Sequence, residues 1–336
     1  MTEINFYVIT TAGSFIQKDS VKEARYSVRK GGFIWLDYLK PTKNDLLPLI
    51  DLLGLHPLSV EDCLDDEQIP KIEDYPKHSF ILFNSIEYQK NILSVSEVDL
   101  FIGEKFLVTV SRHGLKDHSL IQELRRYVEM DIESSRQGPA FLAHVLLDHI
   151  VDKKFIAIEA LEENINATED IILEDIDNFK PAQLLNLRRD LMALRKTLFH
   201  EREILIKICR NDCRFIGLKA ILLYRDIYDH LAKFFELTET DRDIVTSLMD
   251  MYLSMLNNQM AKAANQTNAT VRRLTFITTI FMPLSLLAGI GGMSEWSMMT
   301  GPGNWRIAYP LFLLAMVIIG VLNYFLIKWL EKRGKV

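Results

Sequence analysis

Two long uncharged stretches near the end of the chain dominate its pattern of hydrophobic and polar positions. The first, from Leu274 to Ile290, contains 17 residues, which is close to the shortest helix that crosses a bilayer. The second, from Ile307 to Ile327, contains 21 residues and is long enough to cross unaided. The pattern therefore predicts two transmembrane helices joined by a short loop, and the preceding chain is too polar to join them in the membrane.

The first third of the chain predicts an α/β domain. Runs rich in aromatic and β-branched residues predict four strands: Phe33–Leu36, Ser79–Phe83, Val98–Ile102 and Phe106–Val110. Gly103-Glu104-Lys105 predicts a hairpin turn between the last two strands. Pro41 to Leu53 and Pro57 to Leu64 predict short helices. Because this part contains no G-x-G-x-x-G or Walker-type loop, we do not expect a nucleotide site there.

The middle of the chain, from about Gln137, predicts long helices. The segment from Phe141 to Ile165 has apolar residues at a helical period, and Pro181 occupies a favourable position for starting a new helix. The stretch from Glu159 to Asp177 contains eight acidic residues without a basic one: Glu159, Glu162, Glu163, Glu169, Asp170, Glu174, Asp175 and Asp177. These features predict two antiparallel helices that meet at an acidic tip, although a solvent-exposed face alone accounts for most of the acids.

A third long helix is predicted from Asp241 to Ile290, where the only helix breakers are Pro283 and Gly289. Its first half carries an apolar stripe and forms a stalk, and its second half is the first transmembrane span. A long helix of this kind needs neighbours to cover its stripe, and self-association of several copies provides them. The pattern therefore predicts a homo-oligomer.

The first span carries small and hydroxylated residues along one face. Steps of three and four residues place the following on one stripe: Asn268, Val271, Thr275, Thr278, Met282, Ser285, Gly289 and Gly292. Because hydroxyl groups in hydrocarbon need partners, we expect this stripe to face protein or water. The pattern alone leaves two interpretations open, namely close packing of helices through small residues and the lining of a pore.

Composition, charge and the absence of known motifs exclude several classes of function. The net charge of −6 argues against nucleic acid as a partner. Three cysteines form no disulfide framework and suit a reducing compartment. The chain also lacks a G-x-S-x-G, an H-E-x-x-H and an EF-hand loop, so the sequence predicts no enzyme.

Basic residues predict the orientation in the membrane. They flank the two spans on the side of both termini: Arg272, Arg273, Lys328, Lys332, Arg333 and Lys335. The connecting loop has only Glu295 and Arg306 as charged residues, so both termini are expected in the cytoplasm of a cell whose inner or plasma membrane holds the protein. We expect no signal peptide, since Glu3 interrupts the required pattern.

The end of the first span, M-P-L-S-L-L-A-G-I-G-G-M-S, resembles that of the CorA family of divalent-cation channels, which reads M-P-L-T-F-I-A-G-I-Y-G-M-N. Gly291 stands where the family has Tyr, and Ser294 stands where it has the Asn of its Gly-Met-Asn signature. His56 to Asp62 and Pro70 to Tyr75 also resemble the family motifs H-P-L-x-x-E-D and P-K-x-E-x-Y. We assign no site to the acids of this region, which are typical of a solvated turn.

The resemblance implies an oligomeric pore that conducts divalent cations, formed by five identical subunits embedded in lipid. It implies a selectivity filter of Gly292, Met293 and Ser294, whose carbonyl and hydroxyl oxygens suit hydrated Mg²⁺. It also implies that Asn268 and Ser285 line the pore, with Leu274 and Met282 as an apolar constriction. Leu274 replaces Thr275 of the stripe as the inward residue at that level, so the two assignments compete.

The resemblance also implies a regulatory Mg²⁺ site. The segment Tyr224–His230 is similar to the family's R-D-x-Y-D-H, in which the first Asp helps to bind Mg²⁺ between subunits, and Asp226 occupies that position. Glu87 is the candidate partner from the α/β domain. The alternative is an Arg225–Asp229 helix pair on a solvated face.

Taken together, the sequence predicts an α+β membrane protein with an N-terminal cytoplasmic α/β domain, a long helical hairpin, a stalk helix and two C-terminal transmembrane helices. The predicted boundaries are 1–135 for the α/β domain, 136–240 for the hairpin region, 241–273 for the stalk, 274–292 and 307–330 for the spans, 293–306 for the external loop and 331–336 for the basic tail.

The expected function is transport of Mg²⁺, with Co²⁺ or Ni²⁺ as further ions, gated by cytoplasmic cation binding. Two alternatives are a transporter of Zn²⁺ or another transition metal, coupled to protons, and a non-conducting cation sensor.

Overall fold

The structure is a computed structural model that describes residues 3–11, 14–28, 31–65, 68–111, 136–292, 301 and 303–333. The chain divides into two compact units, Met1–Tyr252 and Leu253–Val336. The boundary between them lies within the longest helix.

A seven-stranded sheet forms the centre of the first unit, in the order β2-β1-β3-β7-β6-β5-β4. The strands are β1 Glu3–Ile9, β2 Phe15–Lys18, β3 Phe33–Leu39, β4 Lys71–Asp74, β5 His78–Gln89, β6 Ile92–Gly103 and β7 Phe106–Ser111. In the described residues β3 and β7 pair in parallel, and the other neighbours pair antiparallel. Every residue of β3 and β7 is buried, which explains why both read as continuous apolar runs.

The four predicted strands are confirmed as parts of β3, β5, β6 and β7, and the turn at Glu104 and Lys105 is confirmed as well. The sequence interpretation missed β1, β2 and β4. Two of these, β2 and β4, form the edges of the sheet, are four residues long and have no buried residue. An edge strand with this composition lacks the apolar run that identified the central strands.

Three short helices cover one face of the sheet: α1 Val21–Ser27, α2 Lys43–Leu53 and α3 Pro57–Asp62. The backbone N–H of Thr42 donates a hydrogen bond of 2.8 Å to the Asp45 carboxylate at the start of α2. Gly54 ends α2 in the left-handed region with φ of 75°, which a residue with a side chain rarely adopts. Both predicted helices of this region are therefore present, with slightly shorter bounds.

The predicted helical hairpin is present as α4 Pro139–Glu174 and α5 Ala182–Cys209, and α4 packs on β3, β5, β6 and β7. Lys154 of α4 contacts Glu201 of α5, as expected for antiparallel helices. Their connection, 175–181, contains two of the predicted acidic residues, Asp175 and Asp177.

A buried ion pair joins this hairpin to the sheet. The Lys154 Nζ lies 2.7 and 2.6 Å from the two carboxylate oxygens of Glu201, and both side chains are 0% exposed. The backbone N–H of Asn84 in β5 donates to the same carboxylate at 2.9 Å, and Lys154 lies over the Phe83 ring at 4.1 Å from its centroid. Burial lowers the pKa of Lys154 and raises that of Glu201, while their mutual attraction opposes both shifts.

The two motifs of the α/β domain meet each other in the structure. The Lys71 Nζ lies 2.8 Å from Asp62 at the end of α3 and 3.4 Å from Glu73 in β4. The Tyr75 hydroxyl donates to Glu73 at 2.6 Å. Asp62 is therefore a structural partner of Lys71 rather than a purely solvated acid, and the pair connects α3 to β4.

The longest helix, α6, spans Leu218–Gly291 and contains 74 residues. It begins directly after Gly217, 23 residues before the predicted start at Asp241, because no proline or glycine interrupts the chain between Leu218 and Met282. The last helix is α7 Trp305–Arg333. By length and composition, α6 and the segment Arg306–Trp329 of α7 each contain a stretch able to cross a membrane.

Candidate ion pathway and cation site

Over the described residues, the end of α6 contacts α7 through a single face. The half-buried residues of α6 from position 274 onward are Phe276, Ile280, Pro283, Leu284, Leu287 and Gly291. Those of α7 recur at steps of three and four and are Ala308, Phe312, Met316, Ile319, Gly320, Asn323 and Ile327. Leu284 lies beside Gly320, and Phe312 lies beside Gly291. The two spans therefore pack through one mainly apolar face of each helix, and each of the two glycines faces a large side chain of the other span.

The predicted pore-lining residues lie away from this contact. All of them are exposed in the single chain: Asn268, Val271, Leu274, Thr275, Thr278, Met282 and Ser285. The small and hydroxylated stripe is therefore not used to pack α6 against α7. Leu274 and Thr275 are both exposed, so this contact does not separate the two competing assignments, and both stay predictions.

The threonine hydroxyls of this segment bond to their own helix. The Thr275 hydroxyl donates to the Val271 carbonyl at 2.9 Å, and the Thr278 hydroxyl donates to the Leu274 carbonyl at 2.6 Å. Such a bond to the carbonyl four residues back satisfies the donor without a neighbour. These hydroxyls therefore need protein or water as partners less than the sequence suggested, although their lone pairs stay available to a cation.

The helix ends at the predicted mouth of the pathway. Its last residue is Gly291, and the Gly292 N–H donates to the Ala288 carbonyl at 3.0 Å. The other two predicted filter residues, Met293 and Ser294, lie outside the described residues. The filter assignment thus stays a prediction.

A second group of candidate ligands lies in the first unit, where α4 meets α6. One ligand atom each from Asp148, Asp226 and His230 lies within 4.8 Å of the other two. Asp148 comes from α4, whereas Asp226 and His230 are four residues apart on α6 and share one of its faces. Asp148 and His230 are half-buried, and Asp226 is exposed. The two helices therefore bring two carboxylates and one imidazole together.

This donor set suits a divalent cation. Carboxylate oxygens are the ligands that Mg²⁺ prefers, and Mg²⁺ completes its shell with water. An imidazole nitrogen favours Co²⁺, Ni²⁺ or Zn²⁺ over Mg²⁺. The group is therefore chemically able to hold either class of ion, with the histidine adding preference for the transition metals.

Only one member of this group was identified from the sequence. His230 belongs to the same motif as Asp226, so its four-residue spacing was available as a signal, whereas Asp148 lies 78 positions away and gives none. Glu87, the other predicted residue, lies in β5 opposite Ser94 and is outside this group in the single chain. In the described part of the chain no ion pair joins Arg225 to Asp229, so that alternative has no contact in its favour.

A folded polar unit, two apolar helices with an exposed hydroxylated face and a carboxylate–imidazole cluster are the features expected of a membrane protein that handles metal cations. Comparison with known proteins gives the family. The family described as CorA-like Mg²⁺ transporter protein matches residues 30–331. The chain is 32% identical to the cobalt/magnesium transport protein CorA of Thermotoga maritima over 86% of this chain and 80% of that protein. It is 31% identical to YfjQ of Bacillus subtilis, which bears the name of a metal ion transporter, over 97% and 98% of the two chains.

Solved structures share the fold. The complete CorA magnesium transporter of Methanocaldococcus jannaschii superposes with a TM-score of 0.70 at 22% identity, over 96% of each chain. The cytoplasmic domain of ZntB from Vibrio parahaemolyticus gives a TM-score of 0.58 at 12% identity, over 76% of this chain and 98% of that one. The chain belongs to the CorA family of divalent-cation transporters, and it is therefore a transport protein and not an enzyme.

Proposed function

We propose that this chain forms a homo-oligomeric channel, with five copies as the expected number, that conducts Mg²⁺ across the cell membrane with both termini in the cytoplasm. Co²⁺ is a further expected ion, in line with the name of the Thermotoga relative, and Ni²⁺ is another expected ion. The observation that carries the proposal is the placement of the predicted lining on the face of α6 that α7 leaves uncovered. Several copies that meet through this face enclose a polar path.

The path would offer oxygen ligands at several levels. Asn268 supplies an amide ring near the cytoplasm and Ser285 supplies a hydroxyl ring within the membrane, with Met282 as part of an apolar constriction between them. At the outer end, Gly292 and Met293 supply carbonyls and Ser294 a hydroxyl. Because Mg²⁺ gives up its water reluctantly, such uncharged oxygens suit a hydrated ion better than a tight carboxylate cage does.

Cytoplasmic cation binding would regulate this channel through the cluster of Asp148, Asp226 and His230. The ligands of this cluster lie on two helices, so a bound ion holds α4 to α6. Removing an ion leaves the carboxylates to repel each other, which favours separation of the helices. Glu87 of a second copy is the proposed additional ligand.

Ion uptake into proteoliposomes tests the transport proposal. We expect Mg²⁺ uptake by the wild type to exceed uptake of Zn²⁺, and Ser294→Asn to change the ratio between Mg²⁺ and the transition metals. Ser297→Asn, three positions along the same loop, is the matched control and should leave the ratio unchanged. If Zn²⁺ dominates in the wild type, the chain is a transition-metal transporter of the same fold, and a pH gradient then shows whether protons drive it. Absence of any flux identifies a non-conducting sensor.

Limited proteolysis of the full chain in detergent tests the regulatory site. Added Mg²⁺ or Co²⁺ should protect the wild type, and Asp226→Ala or Asp148→Ala should lose that protection. Asp229→Ala is the matched control, since this exposed residue lies on the same helix but outside the cluster. Loss of Co²⁺ protection with retained Mg²⁺ protection in His230→Ala would assign the imidazole to the transition metals. Full protection of Asp226→Ala contradicts the site.

A further inference from the structure

The outer end of the first span rests against one aromatic ring of the second. A Cβ atom built on Gly291 would lie 2.7 Å from Cζ of Phe312, 3.0 Å from its Cε2 and 3.2 Å from its Cε1. A Cβ atom does not approach a carbon this closely, so the ring occupies the space that any side chain at Gly291 would need. The helical backbone does not demand a glycine here, but any side chain at position 291 would force the ring or the helix end to move.

Other glycines at the contact between the spans are under no such restriction. A Cβ built on Gly320 would lie 3.5 Å from the Cδ1 of Leu284, which is an ordinary van der Waals distance. The close approach is thus specific to the pair of Gly291 and Phe312. It lies at the residue that directly precedes Gly292, the first residue of the predicted filter.

The CorA motif has a Tyr at the position of Gly291, and such a side chain and the Phe312 ring exclude each other in this packing. We propose that Phe312 is a positioning residue: its ring, supplied by α7, replaces the aromatic side chain of the motif and fixes where the end of α6 presents the filter residues. The proposal rests on the proposed transport function. It gives the departure at Gly291 a physical reason, namely the Phe312 ring that lies against it.

The physical consequence follows from the geometry. In Gly291→Ala either the ring leaves its place or the end of α6 moves, because the two cannot share the space. The Gly292 carbonyl, one residue further on, moves with the helix end. A displacement at the mouth changes the ligand positions offered to the ion, so it should alter discrimination between ions and not only the amount of folded protein.

Four variants test the pair: Gly291→Ala, Phe312→Leu, the double variant, and Gly320→Ala as the matched control. We expect Gly291→Ala to change the ratio of Mg²⁺ uptake to Co²⁺ uptake by about tenfold. The concentrations of Mg²⁺ and Co²⁺ that give half-maximal uptake should change by a similar factor. The double variant should return to within about twofold of the wild type, because the smaller Leu vacates the space, and Gly320→Ala should behave as the wild type. The melting temperature of the oligomer in detergent should follow the same order.

Two results overturn the proposal. The first is a Gly291→Ala variant that matches Gly320→Ala in both flux ratio and melting temperature. The second is a Phe312→Leu change that fails to rescue Gly291→Ala in either measurement. If the wild type conducts no ion, the proposed function fails by itself, and the melting temperatures of the four variants still decide whether the ring and the glycine are coupled.

Discussion

Replacing Lys154 by Met tests how strongly the helical hairpin is tied to the sheet. The variant keeps the length of the side chain but leaves the Glu201 carboxylate buried, with the Asn84 N–H as its remaining described hydrogen-bond donor. Both partners are 0% exposed, so water does not take the place of the ammonium group. We therefore expect a large loss of stability.

The magnitude follows from the burial. Removing one partner of a buried ion pair costs about 3–5 kcal/mol, because the other charge is left uncompensated. For a folded unit of this size, 1 kcal/mol corresponds to a change of about 2–4 °C in melting temperature, so the expected decrease is about 6–20 °C. Lys154→Met combined with Glu201→Leu removes both charges and should recover most of this loss.

Thermal unfolding of the full chain in detergent, followed by circular dichroism, measures the effect. Lys18→Met is the matched control, because the Lys18 Nζ lies 4.0 Å from the Glu23 carboxylate and the two side chains are 26% and 54% exposed. A surface pair of this kind contributes about 0–1 kcal/mol, so the melting temperature of Lys18→Met should stay close to that of the wild type. If Lys154→Met unfolds at the same temperature as Lys18→Met, the buried pair does not hold the hairpin and the reasoning is refuted.

Three further predictions concern the α/β domain and are measured by the melting temperature of the full chain. Burial raises the pKa of Asp37 to about 7, so the folded state keeps a proton that the unfolded state loses from about pH 4 upward. The stability of Asp37→Asn relative to the wild type should therefore rise by up to ~4 kcal/mol between pH 4 and pH 7, and a pH-independent difference would contradict this. Burial lowers the pKa of His78 to about 4, so wild-type stability should fall as the pH drops below about 6.5, when the unfolded state protonates first. His78→Gln should lack this loss, which amounts to about 2 kcal/mol at pH 5, and an equal loss in both proteins would count against it. Lys71→Met, which removes the contacts to Asp62 and Glu73, should cost about 1 kcal/mol, whereas Lys18→Met, 4.0 Å from Glu23, should cost nothing measurable.

The sequence predicted the strands correctly where their burial requires apolar residues. The central strands β3 and β7 are buried along their whole length, so their aromatic and β-branched residues identified them directly. The edge strands β2 and β4 have no buried residue, and nothing in their composition separates them from a loop. The early start of α6 was missed for another reason: Leu218 to Phe234 was assigned to the hairpin region, although the absence of proline and glycine up to Met282 allows one continuous helix.

The candidate functional residues also fall into those that the sequence identifies and those that it does not. Asp226 was found because it belongs to a local motif, and His230 is in that motif too. Asp148 comes from a different helix, and only the packing of α4 against α6 brings it within reach. Likewise, the sequence indicates that Gly291 departs from the CorA motif, but the reason lies in Phe312, which is on the other span. Contacts between distant segments are what a single sequence leaves undetermined.

The cation cluster and the predicted pore lining share one uninterrupted helix, and this limits how regulation can work. A ligand shifts an equilibrium only by the difference in its affinity for the two states. Asp226 and His230 lie on the same helical turn and cannot separate, so their own contribution is equal in every state of α6. Asp148, on α4, is the ligand whose distance can change. We therefore propose that cation binding is coupled to movement of α6 against α4. Asp148→Ala should then abolish the protection from proteolysis that added Mg²⁺ gives to the wild type.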